Sequence, residues 1–247
     1  MTMLETSTEQ APWTEDEFIA ALKAHGARYH NLHPFHVRMN AGELTREELQ
    51  RWVINRFAYQ AIIPRKDAVS LTKCPEPAVR REWIQRIIDH DGVEGGSGGI
   101  ESWLRLGEAL GVSREVIESE RLVLPGVRYS VDAYLHFCQE HHWVIACASS
   151  LTELFGPAAI RVRLEGMEQH YPWIDPAGLD YFRNRLHQAP RDAEYALDLT
   201  VERCRTREMQ EQAVAALSFK CDMLWEQLET IDRGDTRPGT DVESGAS

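Results

Sequence analysis

The sequence predicts an all-α protein, folded as a single-domain compact helical bundle. Apolar residues recur at the three- and four-residue intervals of one helix face along nearly the whole chain. Helix-start signals precede several of these stretches, and the alternating apolar and polar runs that mark strands are missing from the sequence. At 247 residues the chain is long enough to bury a sizeable core in one unit.

Capping motifs and prolines predict where the helices begin. Thr14–Glu17 and Thr45–Glu48 fit the capping box, whose side chains satisfy the unpaired amides of a helix start. Pro77 suits the first position of a helix whose apolar residues are Trp83, Ile84, Ile87 and Ile88. Further helical stretches are predicted at 100–110, 113–121, 131–155, 157–169, 176–188, 191–206 and 207–231.

The predicted bundle occupies residues 13–231. Residues 1–12 and the polar tail 232–247, which is rich in Gly, Ser and Thr, are predicted to be disordered. The glycine-rich stretch 91–99 is expected to connect two helices, because it lacks the lysine and the preceding strand of a phosphate-binding loop.

The charge of the chain excludes several classes of partner. A formal charge of −12 argues against binding to nucleic acid or to anionic lipid, since both require a basic surface. No apolar run approaches the roughly 20 residues that span a bilayer. The N-terminal residues lack the basic and apolar regions of a secretory signal, so a cytoplasmic protein without membrane or nucleic-acid partners is expected.

No metal site is predicted. The five cysteines include no CxxC pair and are expected to be reduced, buried thiols. No histidine has Glu or Asp three positions earlier, the spacing that di-iron sites use in helical bundles. His30, His33 and His36 are spaced by three, but Pro34 interrupts any helix through them, so pocket lining or surface positions are the simpler interpretation.

Charged and polar residues interrupt the apolar helix faces. Those that share a face with core residues are Arg56, Gln60, Arg86, His90, Tyr181, Arg185 and Lys220. Any one such cation is most simply a structural ion pair, because a buried charge without a counter-ion is costly. Four of them in one bundle favour a pocket for a polyanionic small molecule, with a histidine suited to proton transfer at its edge.

At these polar positions the sequence closely resembles the pyrroloquinoline-quinone (PQQ) synthase family. The resemblance covers roughly residues 13–230. Its segments are RYHNLHPFH (28–36), WVINRFAYQAIIPRKDA (52–68), REWIQRIIDHDG (81–92), GGIESWLRLGEALG (98–111), LVLPGVRYSVDAY (122–134), SSLTELF (149–155), QHYPWIDPAGLDYFRNRL (169–186) and SFKCDMLW (218–225). The motifs around HYPWID and REWIQRIxDHDG are long enough to exclude chance.

This resemblance implies a haem-oxygenase-like bundle without haem that works as a homodimer. It implies ring closure and multi-electron oxidation of AHQQ, an amino-carboxyethyl dioxo-hexahydroquinoline dicarboxylate, to PQQ. Oxygen would be the acceptor, hydrogen peroxide a product, and no redox cofactor would be used. The several carboxylates of precursor and product match the buried Arg and Lys residues.

The resemblance also implies roles for individual residues. The substrate contacts would be Tyr29, His30, Arg56, Gln60, Arg86, Tyr134, Arg163 and Lys220. Glu153 would join them as a base or hydrogen-bond acceptor, and His90 would be the principal general acid and base. Tyr181 and Arg185 would border the oxygen site, where the guanidinium would stabilise superoxide or peroxide character.

One position departs from the family pattern. The resemblance places a histidine of the oxygen site three residues before Arg163, where this chain has Ile160, which can neither donate a hydrogen bond nor relay a proton. Two alternatives therefore stay open: a homologue that binds and sequesters PQQ with impaired oxidase activity, and a thiaminase-like hydrolase. No GxSxG motif is present, so the hydrolase would use Cys138, on the predicted 131–155 helix, as nucleophile.

Overall fold

A computed structural model of the chain describes residues 10–93 and 98–234, which contain no strand; the predicted all-α class is confirmed. The α-helices are α1 (Glu15–Ala24), α2 (Pro34–Asn40), α3 (Arg46–Lys73), α4 (Pro77–Asp91), α5 (Gly99–Ala109), α6 (Arg114–Glu118), α7 (Pro125–Glu140), α8 (Trp143–Ala148), α9 (Gly156–His170), α10 (Asp180–Arg203) and α11 (Arg207–Arg233). Short 3-10 helices lie at His25–Arg28, His30–Leu32, Ser149–Leu154 and Pro176–Leu179.

The long helix α3 organises the bundle. It packs against α4, α5 and α7, while α10 and α11 pack on the 3-10 segment Ser149–Leu154. Trp52 of α3 and Trp103 of α5 meet at the centre, with ring centroids 5.1 Å apart, and both are buried. The buried apolar residues form one connected core, so the chain is one domain, as predicted.

The predicted helix starts are confirmed by their side-chain contacts. Thr14 and Thr45 each accept a hydrogen bond from the backbone amide of the Glu three residues later, and each Glu side chain returns to the cap. Pro77 begins α4. These local signals act within one turn, which is why the sequence alone identifies them.

The single helix predicted for 131–155 is wrong. The chain leaves the helix at His141, whose backbone is extended (φ −89°, ψ 157°), and α8 begins again at Trp143. The His142 side chain accepts a hydrogen bond from the Val144 amide and caps the new helix. Because α8 is buried throughout, its apolar pattern continues that of α7 and hides the break.

The predicted break between 188 and 191 is also wrong, because α10 continues through Pro190. Pro190 lies on the exposed side of the helix, so the lost backbone hydrogen bond faces water rather than the core. Its neighbour Ala189 is fully buried. The continuous helix fixes the spacing of every side chain that α10 presents to the site.

The α4 helix presents a narrower apolar face than its sequence indicates. Trp83 is buried, whereas Ile84 and Ile88 are 45% and 37% exposed. They lie four residues apart on the outer side of the helix.

The close contact of α2 and α9 depends on Gly166. A Cβ at this position would lie 2.6 Å from the backbone oxygen of Asn40. Glycine therefore lets α9 approach the end of α2, which follows the 3-10 helix carrying His30.

Some predictions fall outside the described residues. The disorder predicted for 1–12 and 232–247 concerns mostly residues 1–9 and 235–247, and the glycine-rich loop includes 94–97. Across the described residues no single helix is long and apolar enough to cross a membrane, although Trp143–Leu154 with Gly156–His170 reaches that length and composition as a bent pair.

Candidate active site

Two adjoining cavities lie inside the bundle, between α3, α9, α10 and the segment Ser149–Leu154. The larger encloses about 630 Å³ of space between side chains, part of it open to solvent. The smaller encloses about 210 Å³. Both are bordered by Tyr59, Ile63, Thr152 and Glu153, so they form one partitioned site.

Every residue predicted for the site lines one of these cavities. The larger cavity is lined by Tyr29, His30, Arg56, Gln60, His90, Glu153, Arg163, Tyr181 and Arg185. The smaller is lined by Arg86, Tyr134 and Lys220, together with Glu153. Residues from eight helical elements far apart in sequence therefore meet at one place.

Three of the cavity cations lack an acidic partner. Within the described part of the chain, no carboxylate lies within 4.0 Å of Arg56, Arg163 or Lys220. Arg56 donates to the Gln227 side chain at 2.8 Å. Arg163 Nε and Lys220 Nζ are buried and have no hydrogen-bond partner among the described residues. Such donors require an acceptor from a ligand or solvent, and an anion satisfies them best.

Aromatic rings hold two of these cations in place. The Arg56 guanidinium lies 3.9 Å and Lys220 Nζ 4.3 Å from the centroid of the Tyr59 ring. Lys220 Nζ also lies 3.1 Å from the centroid of Tyr134. Burial, with Lys66 and Arg56 nearby, holds the pKa of Lys220 well below its usual value. The ring contacts favour a cation, but they do not replace a counter-ion.

The remaining buried cations are neutralised. Lys66, Arg86 and Arg185 alternate with the carboxylates of Asp67, Glu153 and Asp192 in one connected ionic layer. Asp67 lies 2.6 Å from Lys66 Nζ and 3.4 Å from Arg86 Nε. Burial raises the pKa of Asp67, but the charges of Lys66 and Arg86 lower it by more, so the pKa falls below its usual value and the carboxyl group stays ionised.

His90 is oriented as a neutral base. Its Nδ1 lies 2.9 Å from the backbone oxygen of Arg86, and a carbonyl only accepts, so Nδ1 carries the proton and Nε2 is basic. Burial first, and the charge of Arg185 second, lower the pKa of His90 to about 4. The side chain is 2% exposed and lines the larger cavity.

Tyr181 is fixed from two sides. Its hydroxyl donates to Gln60 Oε1 at 2.9 Å. Its ring meets that of Trp103 edge-on, with centroids 4.8 Å apart. Burial raises the pKa of Tyr181, so the phenol stays protonated at neutral pH. The hydrogen bond leaves the amide nitrogen of Gln60 free to donate into the cavity.

Sequence comparisons identify the family of the chain. The sequence profile of the TENA/THI-4/PQQC family matches residues 19–230. The chain belongs to this family. A protein of Cronobacter sakazakii named pyrroloquinoline-quinone synthase is 55% identical over 224 residues, 91% of this chain and 89% of that protein. A protein of the same name from Ectopseudomonas mendocina is 55% identical over 222 residues, 90% of this chain and 89% of its own length.

Solved structures with low sequence identity to this chain share its fold. A TenA homologue from Pseudomonas syringae pv. tomato superposes with a TM-score of 0.70 at 14% identity, covering 93% of this chain and 100% of its own. A Shewanella denitrificans domain with a haem-oxygenase-like fold gives a TM-score of 0.74 at 15% identity, covering 90% and 93%. The predicted haem-oxygenase-like bundle is confirmed.

Ile160, where the resemblance implies a histidine, lies at the site itself. Ile160 lines the larger cavity together with Arg163, one turn further along α9. An aliphatic side chain therefore occupies a wall position where a histidine would offer a proton.

Cys138, the nucleophile of the hydrolase alternative, lies outside both cavities. It is fully buried, and desolvation raises its pKa. A buried thiol with a raised pKa is a poor nucleophile, so this geometry does not favour the hydrolase.

The three spaced histidines do not converge. The rings of His30 and His36 pack at a tilt of 56° with centroids 4.9 Å apart, whereas His33 caps α2 by accepting a hydrogen bond from the Phe35 amide. Over residues 10–93 and 98–234, no group of three or more His, Cys, Asp or Glu side chains is placed to hold a metal ion.

The residues that the sequence did not reveal are the counter-ions and the aromatic wall. Asp67 lies four residues after Ile63 on the buried face of α3, and Asp192 lies seven after Arg185 on α10. Both acidic residues share a helix face with buried residues, the same pattern that identifies the buried cations. Trp52 and Tyr59 line the cavity with Arg56, but in the sequence their positions are those of ordinary core residues of a helix.

Proposed function

We propose that this protein catalyses the last step of PQQ biosynthesis. AHQQ undergoes ring closure and multi-electron oxidation to PQQ, with O2 as acceptor and H2O2 released, and without metal, flavin or haem. The single observation that supports the substrate class is a trio of cavity cations that have no carboxylate partner among the described residues: the half-buried Arg56 and the buried Arg163 and Lys220. A polycarboxylate supplies the anions that these donors lack. The relatives of the same name support the reaction.

In this proposal His90 removes protons from the bound precursor. A neutral imidazole with a free Nε2 accepts a proton at neutral pH, and the backbone oxygen of Arg86 keeps the ring in that tautomer. Because the pKa of His90 is low, the proton that its imidazole accepts from the substrate is readily donated in a later step. The same residue then serves as base and acid in turn.

Oxygen would react on the α10 side of the cavity. The Arg185 guanidinium stabilises negative charge as it develops on oxygen, and the Tyr181 hydroxyl is positioned by Gln60. The electrons come from the deprotonated substrate itself. The protein supplies orientation, bases and exclusion of water.

We further propose a cytoplasmic homodimer with no nucleic-acid or membrane partner. The resemblance supports the dimer, and the charge of −12 opposes binding to other polyanions. Light scattering on the purified protein tests the dimer: a mass near twice 28.3 kDa is expected, and a monomer at micromolar concentration contradicts it.

The reaction is tested with metal-free protein and AHQQ in air. PQQ absorbance and peroxide should appear, with unchanged rate after treatment with a chelator. His90→Ala should bind PQQ and AHQQ but turn over roughly 100-fold more slowly. Wild-type turnover in that variant removes His90 from the proton-transfer role, and absence of product from the wild type contradicts the proposed reaction.

A second candidate function is PQQ sequestration. It is favoured by Ile160, which leaves the cavity wall without the histidine of the family pattern. It predicts tight PQQ binding and no oxygen uptake when AHQQ is added. The two functions are therefore separated by an oxygen electrode in the same experiment.

A further inference from the structure

Asp192 is a buried carboxylate that the proposed reaction does not use. It lies on α10, its side chain is 2% exposed, and it borders neither cavity. It borders instead an outer groove between α4 and α10, on the far side of the ionic layer. Any effect on the site must therefore pass through the residues that it touches.

Asp192 contacts the guanidinium groups of two arginines that line the cavities, Arg86 and Arg185. Its Oδ2 lies 3.4 Å from Arg86 Nη1 and 3.3 Å from Arg185 Nη1. Its Oδ1 accepts from Arg191 Nη2 at 2.7 Å. The two buried cations thus share one carboxylate oxygen, while a third arginine holds the other.

The same two guanidinium groups reach the cavity wall on their opposite side. Glu153 accepts from Arg185 Nη2 at 2.9 Å and lies 3.5 Å from Arg86 Nη2. Arg185 is therefore held between a carboxylate at the cavity and a carboxylate behind it. A guanidinium fixed at both Nη groups cannot turn about its Nε–Cζ bond without breaking an ion pair.

The charges explain why the rear carboxylate matters. Without Asp192, Arg86 and Arg185 would remain buried and close together with only Glu153 and Asp67 to balance them. Burial raises the pKa of Asp192, but the charges of Arg86 and Arg185 lower it by more, so the pKa falls below its usual value and the carboxyl group is ionised. The mutual repulsion of the two cations would then push one of them away from Glu153.

We propose that Asp192 is a positioning residue for the oxidation step, which holds Arg86 and Arg185 against Glu153 from behind. Helix α10 makes this possible, because Arg185 and Asp192 are seven residues apart and lie on the same face two turns from each other. The effect on rate rests on the proposed function, whereas the effect on the guanidinium groups does not.

The kinetic test compares Asp192→Asn with Asp198→Asn. Asp198 lies on the same helix and borders the same outer groove, but it is exposed and has no ion pair within the described residues. For Asp192→Asn, kcat should fall about 100-fold, because a displacement of about 1 Å in a catalytic group has that effect. The KM for AHQQ should rise by a smaller factor than kcat falls, since Arg86 is the substrate contact that shifts while Arg56, Arg163 and Lys220 are untouched. Asp198→Asn should match the wild type, and wild-type kcat in Asp192→Asn overturns the proposal.

A variant that keeps the charge covers the case in which Asp192→Asn does not fold. Asp192→Glu retains the negative charge but moves the carboxylate by one methylene, so it cannot hold both guanidinium groups in their original places. A folded Asp192→Glu, checked by its thermal unfolding curve, should still lose more in kcat than in the KM for AHQQ. Wild-type kinetics in this variant overturn the proposal equally.

A nitrogen NMR experiment needs no turnover. Because the two Nη groups of Arg185 contact different carboxylates, rotation about Nε–Cζ should be slow and separate Nη signals should be resolved, assigned by their loss in Arg185→Lys. Asp192→Asn (or Asp192→Glu) should merge or broaden these signals, and Asp198→Asn should preserve them. Unchanged signals in the Asp192 variants contradict the positioning role, whereas an inactive wild type contradicts only the proposed reaction.

Discussion

Lys220 and His30 owe their behaviour to burial among other cations. Desolvation is the main cause of the lowered pKa of both, and neighbouring charges, Lys66 for Lys220 and Arg56 for His30, add to it. The sequence placed Lys220 in an apolar stripe but did not show that its nearest charges are also positive. That property depends on which helices meet, and spacing along one helix carries no such information.

Binding of a polycarboxylate should therefore be accompanied by proton uptake. An anion beside Lys220 raises its pKa, so binding takes up a proton at any pH between the free and bound pKa values. In that range the affinity for the anion should fall by up to about tenfold for each unit rise in pH. Below the free pKa the group is charged in both states and the dependence vanishes. Calorimetry of PQQ binding in buffers of different ionisation enthalpy should show the uptake, and Lys220→Met should reduce it; equal uptake in that variant contradicts the assignment.

Ile160 offers a gain-of-function prediction. Ile160→His places a proton donor at the cavity wall beside Arg163, so the oxygen-dependent step should accelerate by about tenfold or more. The measurement is kcat/KM for oxygen at saturating AHQQ. Ile160→Leu, which keeps the wall apolar, should show no gain. A histidine variant no faster than the leucine variant would mean that this position does not limit oxygen activation.

At the scale of helices, local signals were predictable and interruptions were not. The caps at Thr14 and Thr45 involve atoms within one turn and follow from the sequence. The break at His141 and the continuity through Pro190 depend on burial of α8 and exposure of the proline, which only the assembled bundle decides. Proline and apolar periodicity are therefore weak guides to helix ends where burial or exposure in the folded bundle decides whether a helix continues.

The contact of α2 with α9 gives a stability prediction. Gly166→Ala places a methyl group against the Asn40 backbone, which cannot move without displacing α2, so the free energy of unfolding should fall by about 1–3 kcal/mol. Glu165→Ala, on the exposed side of the same helix, should stay within about 0.5 kcal/mol of the wild type. Urea denaturation measures both. Equal stability of the two variants would show that α2 adjusts without cost.

For the whole molecule, the fold class and the residues that meet at the two cavities were predictable, while the distribution of charge among those residues was not. The same helical spacing that identified Arg56 and Arg86 could not tell that Arg86 is neutralised by Asp67 and Asp192 and that Arg56 has no carboxylate partner in the described chain. Neutralisation needs partners from other helices, so it emerges only when α3, α4 and α10 assemble.

Complete burial of the thiols gives a prediction for the intact protein. All five cysteines are free and buried, and desolvation raises the pKa of Cys204 to about 12 and of Cys221 to about 11. Iodoacetamide at neutral pH should therefore leave the native protein unmodified and its PQQ-forming activity intact, while denatured protein should take up five labels. Mass spectrometry counts the labels. Rapid labelling of native Cys138 with loss of activity would restore the hydrolase alternative.

The pair of tryptophans at the centre of the bundle gives the protein its own optical reporter. Trp52 and Trp103 both line the larger cavity, and their rings are in contact with each other. A quinone bound there would lie within range to quench indole fluorescence by accepting electrons or excitation energy. Formation of the product inside the cavity could thus be followed in real time through the emission of two side chains, without a label and before the quinone reaches bulk solvent.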